Sequence, residues 1–284
     1  MLRTPLAAQA LLQPTPDEAE LIGIALERAR RSTLRTQRMD GAWESMGDMG
    51  PMPTCQVLIC LKYLDALDPN DATDAARYLR SQQNADGSFI LRPYATEGDL
   101  GTTACAWAAL KVCDPEGSAE AIAQMKARAH AWIADHGGLE RVIKLLDKGD
   151  VTAIFLALMG FVDAHKLPCP PIGALIVPGV ISFMATRFHA GILMTSMQIS
   201  LIVRRLRGDF GQDGSDMDFF ASREGKAAIS LMSTFQNLEG SWNSNTVQTA
   251  LALPGLLAAG LPISDEGVQR GMQWLLDQRE RDSM

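Results

Sequence analysis

Acid chemistry in this sequence would have to come from carboxylates, and these gather in three places. "EGDLGTT" carries Glu97 and Asp99 just ahead of an apolar, threonine-started run; "DGSDMDFF" carries Asp213, Asp216 and Asp218; "DPNDATD" runs from Asp68 to Asp74. Clustered carboxylates can hold a divalent cation, and a single acid kept protonated by its surroundings can serve as a general acid. The Asp68–Asp74 string reads instead as a turn and a helix start. The glycine-rich Asp213–Asp218 string reads as a solvated loop. Asp99 is placed to cap the helix that follows it, with proton donation by Asp99 or Glu97 as the alternative. His130, His136, His165 and His189 are scattered. Only His189 lies in an apolar stretch, where a core histidine is the expected reading. No P-loop, dinucleotide fingerprint or zinc-type ligand spacing occurs, so neither a metal nor a cofactor is expected.

The elements that must carry these residues are helical. The chain has 284 residues, 47% hydrophobic and 21% charged, with only 6% aromatic. Ala, Leu, Ile and Met supply the apolar mass, which favours helices over strands. The net charge of −7 argues against a nucleic-acid partner, since phosphate contacts need a basic face. Arg28, Arg30, Arg31, Arg35 and Arg38 read as a solvated helix face. Cys55, Cys60, Cys105, Cys113 and Cys169 form no CxxC pair and lie mostly in apolar runs, as reduced thiols of a cytoplasmic protein would. The start, "MLRTPLAAQALLQPTP", has too short and broken an apolar core for a secretory signal, and residues 1–20 are expected to form an arm. From Leu167 to Val203 the only formal charge is Arg187, but Pro168, Pro170, Pro171 and Pro178 break that stretch. A buried helix is expected there rather than a span, with peripheral contact to one membrane leaflet left open.

One phrase recurs. "QRMDGAW" places Gln37, Gly41 and Trp43; "QNADGSF" places Gln83, Gly87 and Phe89; "QNLEGSW" places Gln236, Gly240 and Trp242. Decayed copies appear in "RAHAWIADHGG" and in "RGMQWLLDQRERDSM", which gives a period near 50 residues. Before each glutamine the pattern is that of an amphipathic helix. After each aromatic comes a turn, then a nearly uncharged helix starting at Thr54, Thr102, Thr152 or Thr246. A helix apolar all round must be enclosed, and two concentric rings enclose it. The predicted fold is therefore all-α, an α/α toroid with residues 21–284 as one domain. In it the glutamine amide, the glycine turn and the aromatic staple successive helices together.

These phrases resemble the QW repeats of the class II terpene cyclases, the family of squalene–hopene cyclase. The resemblance runs from Thr54 to Leu276. "ARYLRSQQNADGSFILRP…EGDLGTTACAWAALKV" resembles the first repeat region of that family's inserted, non-acid domain, and "AWIADHGGLERV", "LPCPPI", "IVRRL" and "AAISLMSTFQNLEGSW" follow in family order. Such cyclases protonate an alkene or epoxide with the acid of a DxDD motif, and this sequence has none; "DMDF" lacks the last acid. The resemblance puts "EGDLGTT", with Thr102 and Thr103, at the mouth of the cavity. It also puts His189 and Gly191 on the helix that lines it, Gly191 replacing a large aromatic.

The expected function is a subunit of a two-component class II terpene cyclase. It would shape the active cavity while a DxDD-bearing partner protonates a polyprenyl substrate. The chain ends within a repeat phrase, and its final helix offers Trp274, Leu275 and Leu276 as anchors for that partner. The alternatives are a stand-alone cyclase with an atypical acid, Asp99 or Glu97, and a non-enzymatic isoprenoid-binding or scaffold protein.

Overall fold

The computed structural model describes residues 16–35, 49–92, 95–114, 120–170, 190–208 and 223–278. The first glutamine phrase (Gln37, Gly41, Trp43), His189 and Asp213, Asp216 and Asp218 lie outside them. The chain divides into two units, Met1–Asp48 and Met49–Met284. The first contains helix α1 (Pro16–Arg35), which runs across the expected boundary at residue 20. On α1, Glu27 pairs with Arg30 at 3.1 Å and Arg31 at 2.8 Å, one turn along the same face.

In the second unit the described residues form helices α2 (Met52–Tyr63), α3 (Pro69–Gln82), α4 (Leu100–Cys113), α5 (Glu120–Asp135), α6 (Gly138–Lys144), α7 (Thr152–Leu158), α8 (Ala190–Arg207), α9 (Arg223–Thr234), α10 (Thr246–Ala258) and α11 (Glu266–Asp277). The protein is all-α. No strand occurs among the described residues, only one isolated antiparallel bridge between Gln236 and Trp242.

Two kinds of helix follow from two kinds of sequence. On α4 every residue from Gly101 to Leu110 is buried, and on α7 every residue from Thr152 to Leu158. By contrast α3 buries Ala72, Ala76 and Leu79, α5 buries Met125, Ala129 and Ile133, and α11 buries Val268, Gly271 and Leu275. Spacings of three and four put each of these sets on one face. The apolar helices find enclosure in each other: α2 packs on α4, α4 on α7, α7 on α8, α8 on α10, and α10 on α2. That circuit of contacts returns to its starting helix, and α2 also touches α7 across it. The amphipathic helices lie against its members, α3 and α5 on α4, α9 and α11 on α10. No helix among the described residues is long and apolar enough to cross a membrane.

Four helix starts are capped by short polar side chains. Asp68, Asp99, Asn245 and Asp265 accept from backbone N–H groups of the first turns of α3, α4, α10 and α11. Pro254 lies inside α10, where it removes a backbone donor; tertiary burial of nearly the whole helix overrides that cost.

Two glycines are required by their neighbours. Gly87 and Gly240 have φ of +94° and +105°. A Cβ at Gly87 would lie 2.7 Å from the carbonyl oxygen of Arg128, and one at Gly240 2.4 Å from that of Arg270. Gly260 shares the left-handed conformation, at +90°, but has nothing within 4 Å of an added Cβ. Gly240→Ala should therefore cost about 2 kcal/mol or more, backbone clash added to strain, whereas Gly260→Ala should cost about 1 kcal/mol. Urea unfolding of the two variants checks the order.

Candidate functional site

Among the described residues, the glutamine phrases build the same unit at two places. In the first copy, Gln83 Nε2 donates to the Gly87 carbonyl and to the Met125 carbonyl on α5, each at 3.0 Å, and Gln83 Oε1 accepts from Arg128 at 2.5 Å. In the second, Gln236 Nε2 donates to Gly240 at 2.8 Å and to Gly267 on α11 at 2.7 Å, and Oε1 accepts from Arg270 at 3.2 Å. The spacings match: glycine four residues after the glutamine, arginine three after the distant carbonyl. Each amide therefore ties its own turn to an amphipathic helix beyond the next buried one.

The aromatic closes each unit. Phe89 and Trp242 are both buried. Their backbone N–H groups donate to Thr103 Oγ1 and Thr249 Oγ1, each at 3.0 Å. Those hydroxyls donate in turn to the carbonyls of Asp99 at 2.6 Å and Asn245 at 2.9 Å. Trp242 Nε1 also donates to the Met232 carbonyl at 2.8 Å, which anchors α9. In the loops, Asp86 accepts from the Ser88 hydroxyl and Glu239 from the Ser241 hydroxyl, both at 2.7 Å. Trp132 Nε1 reaches Asp86 Oδ2 at 3.2 Å.

Asp99 is the N-cap of α4. Its Oδ1 accepts from the N–H and the hydroxyl of Thr102, each at 2.7 Å. Asn245 occupies the same place before α10 and accepts from the Gln248 N–H at 3.0 Å. A residue that cannot titrate makes the same cap in the sister unit. Thr102 and Thr103 are buried and joined to that cap, and Glu97 is exposed. Asp150 was not singled out from sequence. It precedes the threonine-started α7, accepts from the Thr152 N–H at 2.8 Å, and lies so close to Gly101 that a Cβ there would be 2.0 Å from its Oδ2. The signal that could have found it is an aspartate two residues before a buried helix, the same logic as Asp99.

Gly191 falls in the first turn of α8 as described. Of the final helix's expected anchors, Leu275 is taken up by the chain's own core; Trp274 and Leu276 are half-buried, Trp274 packing on that core. Among the cysteines, the hydrogen-bonded neighbour Cys55, then burial, hold the Cys105 thiol well above its usual range. Burial chiefly pushes Cys113 up to about 12. These thiols stay protonated and unreactive. No group of three or more metal-ligating side chains is assembled among the described residues.

Replacing Asp99 by Asn should leave stability within about half a kcal/mol, whereas Asp99→Ala should cost about 1 kcal/mol, measured by chemical denaturation. The Ser88 and Ser241 hydroxyls, followed by weaker backbone and side-chain bonds, hold Asp86 and Glu239 below their usual values. Their contribution is present above the unfolded carboxylate pKa and is lost as pH falls through the depressed folded values. A double Asp86→Asn, Glu239→Gln variant should show a shallower loss of melting temperature on acidification.

The family model of the squalene-hopene cyclase N-terminal domain matches residues 26–190. The squalene hopane cyclase afumA of Aspergillus fumigatus is 28% identical over 159 residues, 53% of this chain and 20% of that protein. The enfumafungin synthase efuA of Hormonema carpetanum is 28% identical over 155 residues, 54% of this chain and 11% of that protein. The matches thus span no more than a fifth of either relative's length. With more than half of its residues matched by one family model, the chain belongs to the squalene-hopene cyclase N-terminal domain family, and with it to the class II terpene cyclases.

Proposed function

We propose that the chain is an α/α toroid that serves as the acid-free component of a two-component class II terpene cyclase. A DxDD-bearing polypeptide supplies the proton, and this chain supplies a wall of the cavity in which a polyprenyl substrate folds. The observation that carries this reading is the use made of Asp99. In a chain of this family that has no DxDD, the acidic residue expected at the cavity mouth works as a helix cap, like Asn245. The closed circuit of apolar helices, clad by amphipathic ones, supports the toroid. The repeated glutamine units act as its QW repeats.

Within this arrangement the wall's chemistry is exclusion. A carbocation survives only where water is kept away, and densely packed apolar helices do that. Gly191 at the start of α8 gives the substrate room where relatives would place a large side chain. Trp274 and Leu276 on α11 offer partly exposed apolar surface to the partner. The protein would work in the cytoplasm, with contact to a membrane surface through which a greasy substrate arrives.

Co-expression with a DxDD-bearing cyclase protein, assayed with squalene and with a prenyl diphosphate, should yield cyclised terpenoid at least tenfold above either protein alone. Asp99→Asn should leave that yield unchanged. Full activity of the partner by itself would remove the proposal. Conversion by this chain alone, abolished by Asp99→Asn, would establish the stand-alone enzyme instead.

A further inference from the structure

Four buried oxygens on neighbouring apolar helices have no hydrogen-bond partner among the described residues. They are Gln56 Oε1 on α2, Thr152 Oγ1 on α7, Gln198 Oε1 on α8 and Gln248 Oε1 on α10. Gln56, Thr152 and Gln198 are at most 1% exposed. The four helices pack pairwise, α2 on α7, α7 on α8, α8 on α10 and α10 on α2. Buried polar atoms in native proteins nearly always have partners, so a group of such oxygens within one packed set points to something that binds them.

The seam between α8 and α10 is the best defined part. Gln248 Nε2 donates to Thr195 Oγ1 at 3.3 Å, and Gln198 Nε2 approaches the Gln248 carbonyl at 3.4 Å. A Cβ at Gly255 would lie 3.6 Å from Gln198 Cα, an ordinary van der Waals distance, so Gly255 packs against the backbone of α8 at Gln198. Thr195 and Gln198 on α8 both meet Gln248 on α10, so the two glutamines lie on one seam.

The chemistry of the missing partner follows from the amides. Gln198 faces a backbone carbonyl, which only accepts, so its nitrogen must point there and its Oε1 is left needing a donor. Gln248 faces a hydroxyl, which donates or accepts, so its amide can be turned either way. The unmet end is then an acceptor or a donor. A ligand that satisfies both glutamines must be small and able to donate and accept. Gln198, Gln248, Thr195 and Gly255 are all neutral, and a dehydrated cation held by neutral groups alone is costly. An apolar ligand would leave every oxygen unmet.

We propose that the α8–α10 seam is an internal hydration site, in which ordered water bridges the side-chain amides of Gln198 and Gln248. Buried water of this kind makes two to four bonds to groups that would otherwise be unmet, and is costly to remove. Here it ties α8 to α10 through their two glutamines. The inference stands independently of the proposed function.

Water-oxygen magnetic relaxation dispersion on the full chain, together with a high-resolution crystal structure, tests it. The wild type should show at least one water that stays longer than the molecule's tumbling time, with density between the two amides. A Gln198→Met/Gln248→Met variant should lose that signal. Potassium or ammonium titration should leave the melting temperature unmoved. An unbridged seam in the wild-type crystal would overturn the proposal, as would a signal that persists in the variant or a melting temperature that climbs with either cation. If the double variant does not fold, the wild-type density and the single variant Gln248→Leu decide the same question.

Discussion

A helix that is apolar on every side cannot stop at one neighbour. Leaving any face of α4 or α7 in water would forfeit roughly 25 cal/mol for each Å² exposed, so each must be packed all round. They meet that demand within a set of five helices, α2, α4, α7, α8 and α10, whose circuit of contacts closes from α10 back to α2. The amphipathic helices are a consequence. They have one face to bury and one to show, and each lies with its small and aliphatic residues against the circuit.

Enclosure by apolar packing is not directional, and the glutamine units supply the direction. Each amide spends two donor bonds on carbonyls of a turn and a distant helix, while its oxygen takes an arginine from that same helix. A glycine with positive φ lets the turn approach the distant backbone, and a buried aromatic holds the next helix start through a threonine hydroxyl. The side chains of one short phrase thereby set the relative position of three helices. Repetition of that phrase turns a local connection into an architecture.

The same economy explains the placing of the acids. Two carboxylates near the buried helices meet N–H groups at helix starts, where negative charge is favoured and backbone donors need partners. Asp99 and Asp150 are used in this way. The chain belongs to a cyclase family and matches only a fraction of its relatives' length.

Much of this was legible in the residues themselves. The all-helical class follows from composition and periodicity, and the threonine-started apolar runs become α2, α4, α7 and α10 because nothing but burial suits them. Gln83, Gly87 and Phe89, like Gln236, Gly240 and Trp242, could be picked out by spacing, and Asp99 could be placed before a helix. Local chemistry determines such things, since caps, turns and amphipathic faces involve residues a few positions apart. The destinations of the long-range bonds were not legible. That Gln83 would reach Met125, 42 residues away, that Leu275 would belong to the core, and that Gln198 and Gln248 would share a seam all depend on which helices become neighbours. Only the tertiary structure decides that, because the hydrophobic effect requires an apolar face to be covered without naming what covers it.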